Sequence, residues 1–227
     1  MKQLVIGLGE VGEPIRELLG ADGHDGPRSI FADGYYDVIH ICFPFMPSFY
    51  SRVRDYQQVF ESSLTIIHST VPIGTTKQIP GAVHSPVLGR HSTMSHDLLK
   101  FEKWFGGEKA EMAAALWPGK VNIVASSDTT EALKLLCLAR YGMDIAFSQL
   151  ARRILPEGSG YHRWMEWTRN YNEGVEPHLR RPLIWPTGPF IGGHCVIPGT
   201  EMLSDDFPDE ILDAVLRLKP ERIKAVA

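Results

Sequence analysis

Cysteine is scarce: Cys42, Cys137 and Cys195 are the only three in 227 residues. They lie far apart and form no CxxC pair, which excludes a disulfide framework and a structural zinc site of the usual spacing. Any special role falls to one thiol acting alone. Absent too is a run of the eighteen or so apolar residues that a membrane-spanning helix needs. The opening Lys2-Gln3-Leu4-Val5-Ile6 reads as a strand rather than a signal peptide, so a cytoplasmic location is expected. Nor is there an excess of one charge: 23 basic residues stand against 27 acidic ones. That balance gives no electrostatic footprint for nucleic acid or an anionic membrane. No internal repeat or low-complexity tract is present. What remains is an ordinary globular chain, 44% hydrophobic, long enough for one full core with a smaller appendage.

The pattern along the chain is strand, turn, helix, repeated. Leu4-Val5-Ile6 runs into Gly7-Leu8-Gly9-Glu10-Val11-Gly12, and Pro14 to Leu19 continues as a helix. A second strand is expected next, and Ser29-Ile30-Phe31 is the one weak candidate for it. Asp37 to Phe43 reads as a buried strand ending at Pro44, Phe49 to Ser62 as a helix, and Leu64 to His68 as another strand. A short helical turn from Gly74 to Gln78, brief strands at Ala82-Val83-His84 and Asn122 to Ala125, and an amphipathic cover from Leu98 to Phe105 follow. From residue 128 a long helix is expected, capped by Thr129 or Thr130 and running to Pro156. A short terminal helix is read over Asp209 to Leu218. Alternation of this kind predicts a Rossmann-like α/β domain over residues 1–127, with a parallel sheet and flanking helices, then a long helix and a short C-terminal extension over 128–227.

The glycine turn carries the first chemistry. A strand, GxGxxG and a helix give a tight turn, a close backbone approach and unpaired amides that face a pyrophosphate. Gly7, Leu8, Gly9, Glu10, Val11 and Gly12 therefore form the expected dinucleotide cradle, with Pro44, Ser69 and Thr70 at later strand ends on the same side of the sheet. An acidic residue about 20 positions on usually binds the adenosine ribose. Asp22, Asp25 and Asp33 are candidates, while Arg28 suits a 2′-phosphate, so NAD is expected with NADP left open.

Three segments together resemble the UDP-glucose/GDP-mannose dehydrogenase family: Val5 to Pro14, His68-Ser69-Thr70-Val71-Pro72-Ile73-Gly74-Thr75-Thr76, and Gly188-Pro189-Phe190-Ile191-Gly192-Gly193-His194-Cys195. The resemblance implies a nucleotide-sugar alcohol oxidised to a carboxylate with two NAD. It makes Cys195 the nucleophile on the aldehyde intermediate, places Lys134 as the oxyanion-stabilising lysine of the central helix, and implies a homodimer through that helix. Hydroxyl contact from Ser69 or Thr70 to nicotinamide or a catalytic water fits the same scheme.

The sequence also departs from that pattern. The family's asparagine one turn after the lysine is Leu138, its aspartate after the nucleophile is Gly199, and its glutamate after the next strand is Val87. Removing one such polar group typically costs roughly a hundred- to a thousand-fold in rate. The chain runs 32 residues past Cys195, where the family has a second Rossmann-like domain for the nucleotide, so a nucleotide-sugar site is expected to need a partner subunit or a smaller substrate. Two hypotheses follow: an NAD(P)-dependent dehydrogenase of a sugar or small alcohol, and a non-catalytic dinucleotide-binding module. Cys42 and Cys137 are expected to pack in the core. Tyr161, Trp164, Trp167 and Tyr171, at helical spacing, are expected to pack on a neighbouring helix. His68, His84 and His194, even with His91 or His96, match no metal motif, and no metal is expected.

Overall fold

A computed structural model describes residues 1–26, 34–185, 188–192 and 194–220. The chain divides into two compact units, Met1–Lys134 and Leu135–Ala227. The first is a seven-stranded sheet of β1 (Gln3–Ile6), β2 (Asp22–His24), β3 (Val38–Ile41), β4 (Leu64–Ile67), β5 (Ala82–His84), β6 (Lys103–Gly106) and β7 (Val121–Val124). Its order is β2-β1-β3-β4-β5-β6-β7, with the first five strands parallel. Strands β3 and β4 are buried at every position, which is why they read as continuous aliphatic runs rather than as alternating ones.

Each face of the sheet has its own core. On one, Val5, Val38, Leu64, Ile66, Val83 and Phe105 meet Ile15 of α1 (Gly12–Leu19), Leu98 of α3 (Met94–Lys100) and Ala113 of α4 (Ala110–Ala114). On the other, Leu4, Ile6, Ile39, Ile41 and Ile67 meet Phe49 and Val53 of α2 (Phe49–Val59), with Tyr36 and Phe60.

Three expectations about these elements are corrected. The second strand is Asp22–His24, not 29–31, which lie outside the described residues. Its middle residue is Gly23 because the Leu8 side chain and the Arg16 stem rest on it: an added Cβ would come within 2.9 and 2.8 Å of them. The stretch from Leu98 to Phe105 is the end of α3 followed by β6, which pairs antiparallel with β5, His84 opposite Gly106. The cap of the long helix α5 (Ser127–Ile154) is Ser126, whose hydroxyl accepts from the Asp128 amide, whereas Thr130 is buried inside the helix. The short turn at Thr76–Gln78 is a 3-10 helix.

The second unit holds most of α5, then α6 (Gly160–Glu173), α7 (Val196–Asp206) and α8 (Glu210–Leu216). Ile191, Val196, Ile197, Val215 and Leu216 form its small core, and the Ile191 amide donates to the Leu218 carbonyl. Helix α7 was not expected from sequence, since Pro198 and Gly199 stand in its first turns. The aromatic stripe of α6 is only partly packed: Tyr161 is buried, but Trp167 is 72% exposed. Cys137 is likewise exposed on α5, not in the core.

Candidate functional site

The turn after β1 shows three glycines held for three reasons. Gly7 sits at φ +95°, where L side chains are strained, and a Cβ there would meet the Phe43 backbone nitrogen at 2.9 Å. A Cβ on Gly12 would lie 1.8 Å from the Gly7 carbonyl oxygen, so the first helical turn can close on the loop only with glycine. Gly9 differs: nothing lies within 4 Å of its added Cβ. Internal packing does not require glycine there, whereas a ligand lying flat on the backbone would. Helix α1 has Val11 as its N-cap and no side-chain cap, and the Glu13 amide donates to the Gly9 carbonyl at 3.1 Å.

Neighbouring elements complete this edge. The Gly7 amide donates to the His24 carbonyl at 2.9 Å, tying the turn to β2. Asp25 follows β2 directly, at the strand end where a ribose-binding acid belongs. Leu8 and Val11 are partly buried against the core, so at this turn they expose backbone more than side chain. Glu10 is different again: its Oε2 lies 2.6 Å from His91 Nδ1, a contact from the glycine turn to the segment after β5.

The ends of β3 and β4 lie at the same edge. Pro44 is exposed there, and Cys42 beneath it is half-buried, its thiol pushed up to about 12 by burial. Ser69 is buried and donates to the Phe43 carbonyl at 2.6 Å, so its hydroxyl joins two loops. Thr70, the next residue, is half-exposed. The following turn is held by Glu131 of α5: its carboxylate, 0% exposed, accepts from the Gly74 amide at 2.6 Å and the Thr76 amide at 2.8 Å. Burial raises its pKa, opposed by those hydrogen bonds. Lys134, one helical turn further, donates to the Val87 carbonyl at 2.9 Å.

His68 and His84 do end strands on this edge, but protein groups take up their rings. His84 Nδ1 lies 2.8 Å from Thr130 Oγ1, and its Nε2 lies 3.2 Å from the Ser69 carbonyl. His68 stacks on His40, and Lys103 of β6 reaches it from the far side. Sequence reading missed Lys103, because the stretch from Leu98 to Phe105 reads as an amphipathic cover whose lysine would face solvent. Among the described residues no group of three or more histidine, cysteine or acidic side chains has metal-binding geometry.

Cys195 belongs to the second unit, as the residue that precedes α7, and is half-buried. Gly193 of its loop lies outside the described residues. Two of the three positions that depart from the nucleotide-sugar dehydrogenase pattern meet here: Gly199 is buried in α7, and a Cβ on it would come within 2.7 Å of Leu138 Cδ1. Leu138 fills the room that an aspartate at 199 would need. A groove of about 1700 Å³ in the same unit is lined by Arg140, Arg152, Arg153 and Arg217 together with Phe147 and Tyr161.

This is a Rossmann-like α/β fold, with the glycine turn at the point where the chain order reverses between β1 and β3. Among solved structures of that fold, the chain is similar to a UDP-D-ManNAc dehydrogenase from Pyrococcus horikoshii, at 19% identity and a TM-score of 0.79, covering 100% of this chain and 69% of that one. It is similar to a GDP-mannose dehydrogenase from Pseudomonas aeruginosa at 14% identity and a TM-score of 0.61, covering 99% and 69%. A 3-hydroxyisobutyrate dehydrogenase from Mycobacterium tuberculosis aligns at 15% identity and a TM-score of 0.64, covering 95% and 91%. No protein-family model and no curated sequence matches the chain.

Proposed function

We propose that this protein is an NAD(P)-dependent dehydrogenase, resembling the nucleotide-sugar dehydrogenases, that oxidises the hydroxyl of a nucleotide sugar or a smaller alcohol. The observation that carries the reading is the contrast within the cradle: Gly7 and Gly12 are demanded by the protein's own backbone, and Gly9 is not. The backbone amides of Gly9 to Gly12 would hold the pyrophosphate. Asp25 would accept from the ribose hydroxyls and repel a 2′-phosphate, which favours NAD. Thr70 and the Pro44 loop would flank the nicotinamide. A bound nicotinamide supplies the hydride acceptor, and the chain's part is to orient the hydroxyl and take up its proton.

Lys134, whose ammonium donates to the Val87 carbonyl, would steady a developing oxyanion. Cys195 would serve as the covalent nucleophile in a second oxidation. Against that second step stands the Leu138–Gly199 contact, which replaces two polar groups by apolar packing. This contact favours the alternative, a dinucleotide-binding module without the full chemistry. The arginines of the groove suit a diphosphate-bearing substrate. A cytoplasmic homodimer, paired through α5, completes the reading.

Calorimetry with NAD(H) and NADP(H) tests the core: binding with NAD preferred is expected, and no heat with no rise in melting temperature would sink it. Rapid iodoacetamide labelling of Cys195 near neutral pH, slowed by dinucleotide, separates enzyme from module. Because Cys137 is exposed, the labelling is read peptide by peptide.

A further inference from the structure

A lysine lies in the core of the first unit without an acid. Lys103 is 4% exposed. Among the described residues no carboxylate lies within ion-pair distance of it. Its Nζ lies 2.7 Å from the Ser85 carbonyl, 2.9 Å from the Pro86 carbonyl and 3.1 Å from His68 Nδ1. The ring of Trp117 is 5.2 Å away. The other ionisable groups facing it are His40 and Cys42 from the β3 segment, His84 from β5 and Lys134 from α5.

Counting protons decides the state of the amine. His68 Nδ1 is 2.8 Å from the Ser85 carbonyl oxygen, a separation that requires the hydrogen to sit on that nitrogen. His68 Nε2 is then a lone pair and accepts from His40 Nδ1 at 3.0 Å. His40 Nε2 in turn lies 2.9 Å from Gln3 Oε1, and a half-turn of that amide, which fits the same space, presents its NH₂ to the ring's lone pair. An ammonium at Lys103 would set a third N–H against the N–H of His68. A neutral amine donates twice to the carbonyls and offers its lone pair to His68, so every partner is matched.

We infer that Lys103 is a neutral amine in the folded protein, the terminus of a buried hydrogen-bond chain through His68 and His40. It acts as a positioning residue that pins the loops at 68–70 and 85–87. Calling those loops cofactor-facing rests on the proposed function; the protonation state does not. Burial, the leading cause, holds Lys103 well below the ordinary lysine range and His40 near 3. The sign follows. An unfolded lysine titrates near ~10.4, so the unfolded chain binds a proton that the folded one excludes, and stability rises with pH up to that value.

The test is urea unfolding of wild type and Lys103→Met between pH 7 and 9. The wild-type folding constant is expected to gain on the variant's by about tenfold per pH unit. The comparison cancels Cys42, whose thiol, held at about 12, opposes the trend above ~8.5 in both proteins. Parallel profiles would mean a charged Lys103 and overturn the inference. If the variant does not fold, ¹⁵N-lysine NMR of the wild type at neutral pH decides: one amine resonance supports the inference, ammonium signals alone reject it. For the pinning role, amide exchange at 68–70 and 85–87 should quicken at least tenfold in the variant, and unchanged exchange rejects it. Failure of NAD to bind wild type would strike the proposed function and leave the pH linkage standing.

Discussion

Gly9 and Gly12 look interchangeable in the sequence, yet they should respond oppositely to one methyl group. Gly12→Ala places a carbon against the Gly7 carbonyl and should lower stability by about 1–3 kcal/mol or prevent folding. Gly9→Ala should change stability by no more than ~0.5 kcal/mol and weaken dinucleotide binding at least tenfold. Thermal melts with calorimetry check both, and equal losses of stability would refute the division. Glu10→Gln, which removes a negative charge beside the expected pyrophosphate, should tighten NAD binding a few-fold at low salt, read by the same calorimetry. The cradle was legible because GxGxxG has a fixed mechanism. Asp25 was named as a ribose candidate but not singled out, since the strand before it, Asp22-Gly23-His24, contains no β-branched residue and is made a strand by its pairing with β1. The neutral state of Lys103 was illegible, because it depends on which carbonyls the fold brings to the amine.

Elements with strong periodicity or buried aliphatic runs, β1, β3, β4, α2 and α5, were readable nearly to their ends. The pair α3 and β6 was not: Phe101 and Glu102 join them so tightly that helix and strand read as one amphipathic stretch. Helix α7 escaped for a related reason, as proline is tolerated in a first turn but signals a break when read alone. Helix α5 shows an exposed apolar series, Leu136, Phe147, Leu150 and Ile154 among them. Such a face suits the proposed α5 pairing. Leu136→Glu with Leu150→Glu should weaken dimerisation at least tenfold by light scattering across a dilution series, while the melting temperature of the monomer stays unchanged. A dimer that survives both charges places the interface elsewhere.

For the whole molecule, acid is the expected weakness. Burial holds His40 and His84 near 3 and lowers His68 as well. Unfolded histidines take protons near ~6.5, so stability contributed by these neutral rings is intact above that pH and lost as pH falls toward 3. Asp97, held at about 2 chiefly by the Arg90 amide, adds stability above ~3.9 that is lost only below it. Melts followed by circular dichroism should therefore fall from about pH 6.5 downward, and a flat profile to pH 4.5 would contradict the buried neutral histidines. Finally, Leu138 and Gly199 interlock, and this makes the two positions depend on each other. Aspartate introduced at 199 alone collides with the leucine, and asparagine at 138 alone leaves an amide beside an empty backbone. Each single change therefore costs stability that the two made together need not, so the positions are energetically coupled.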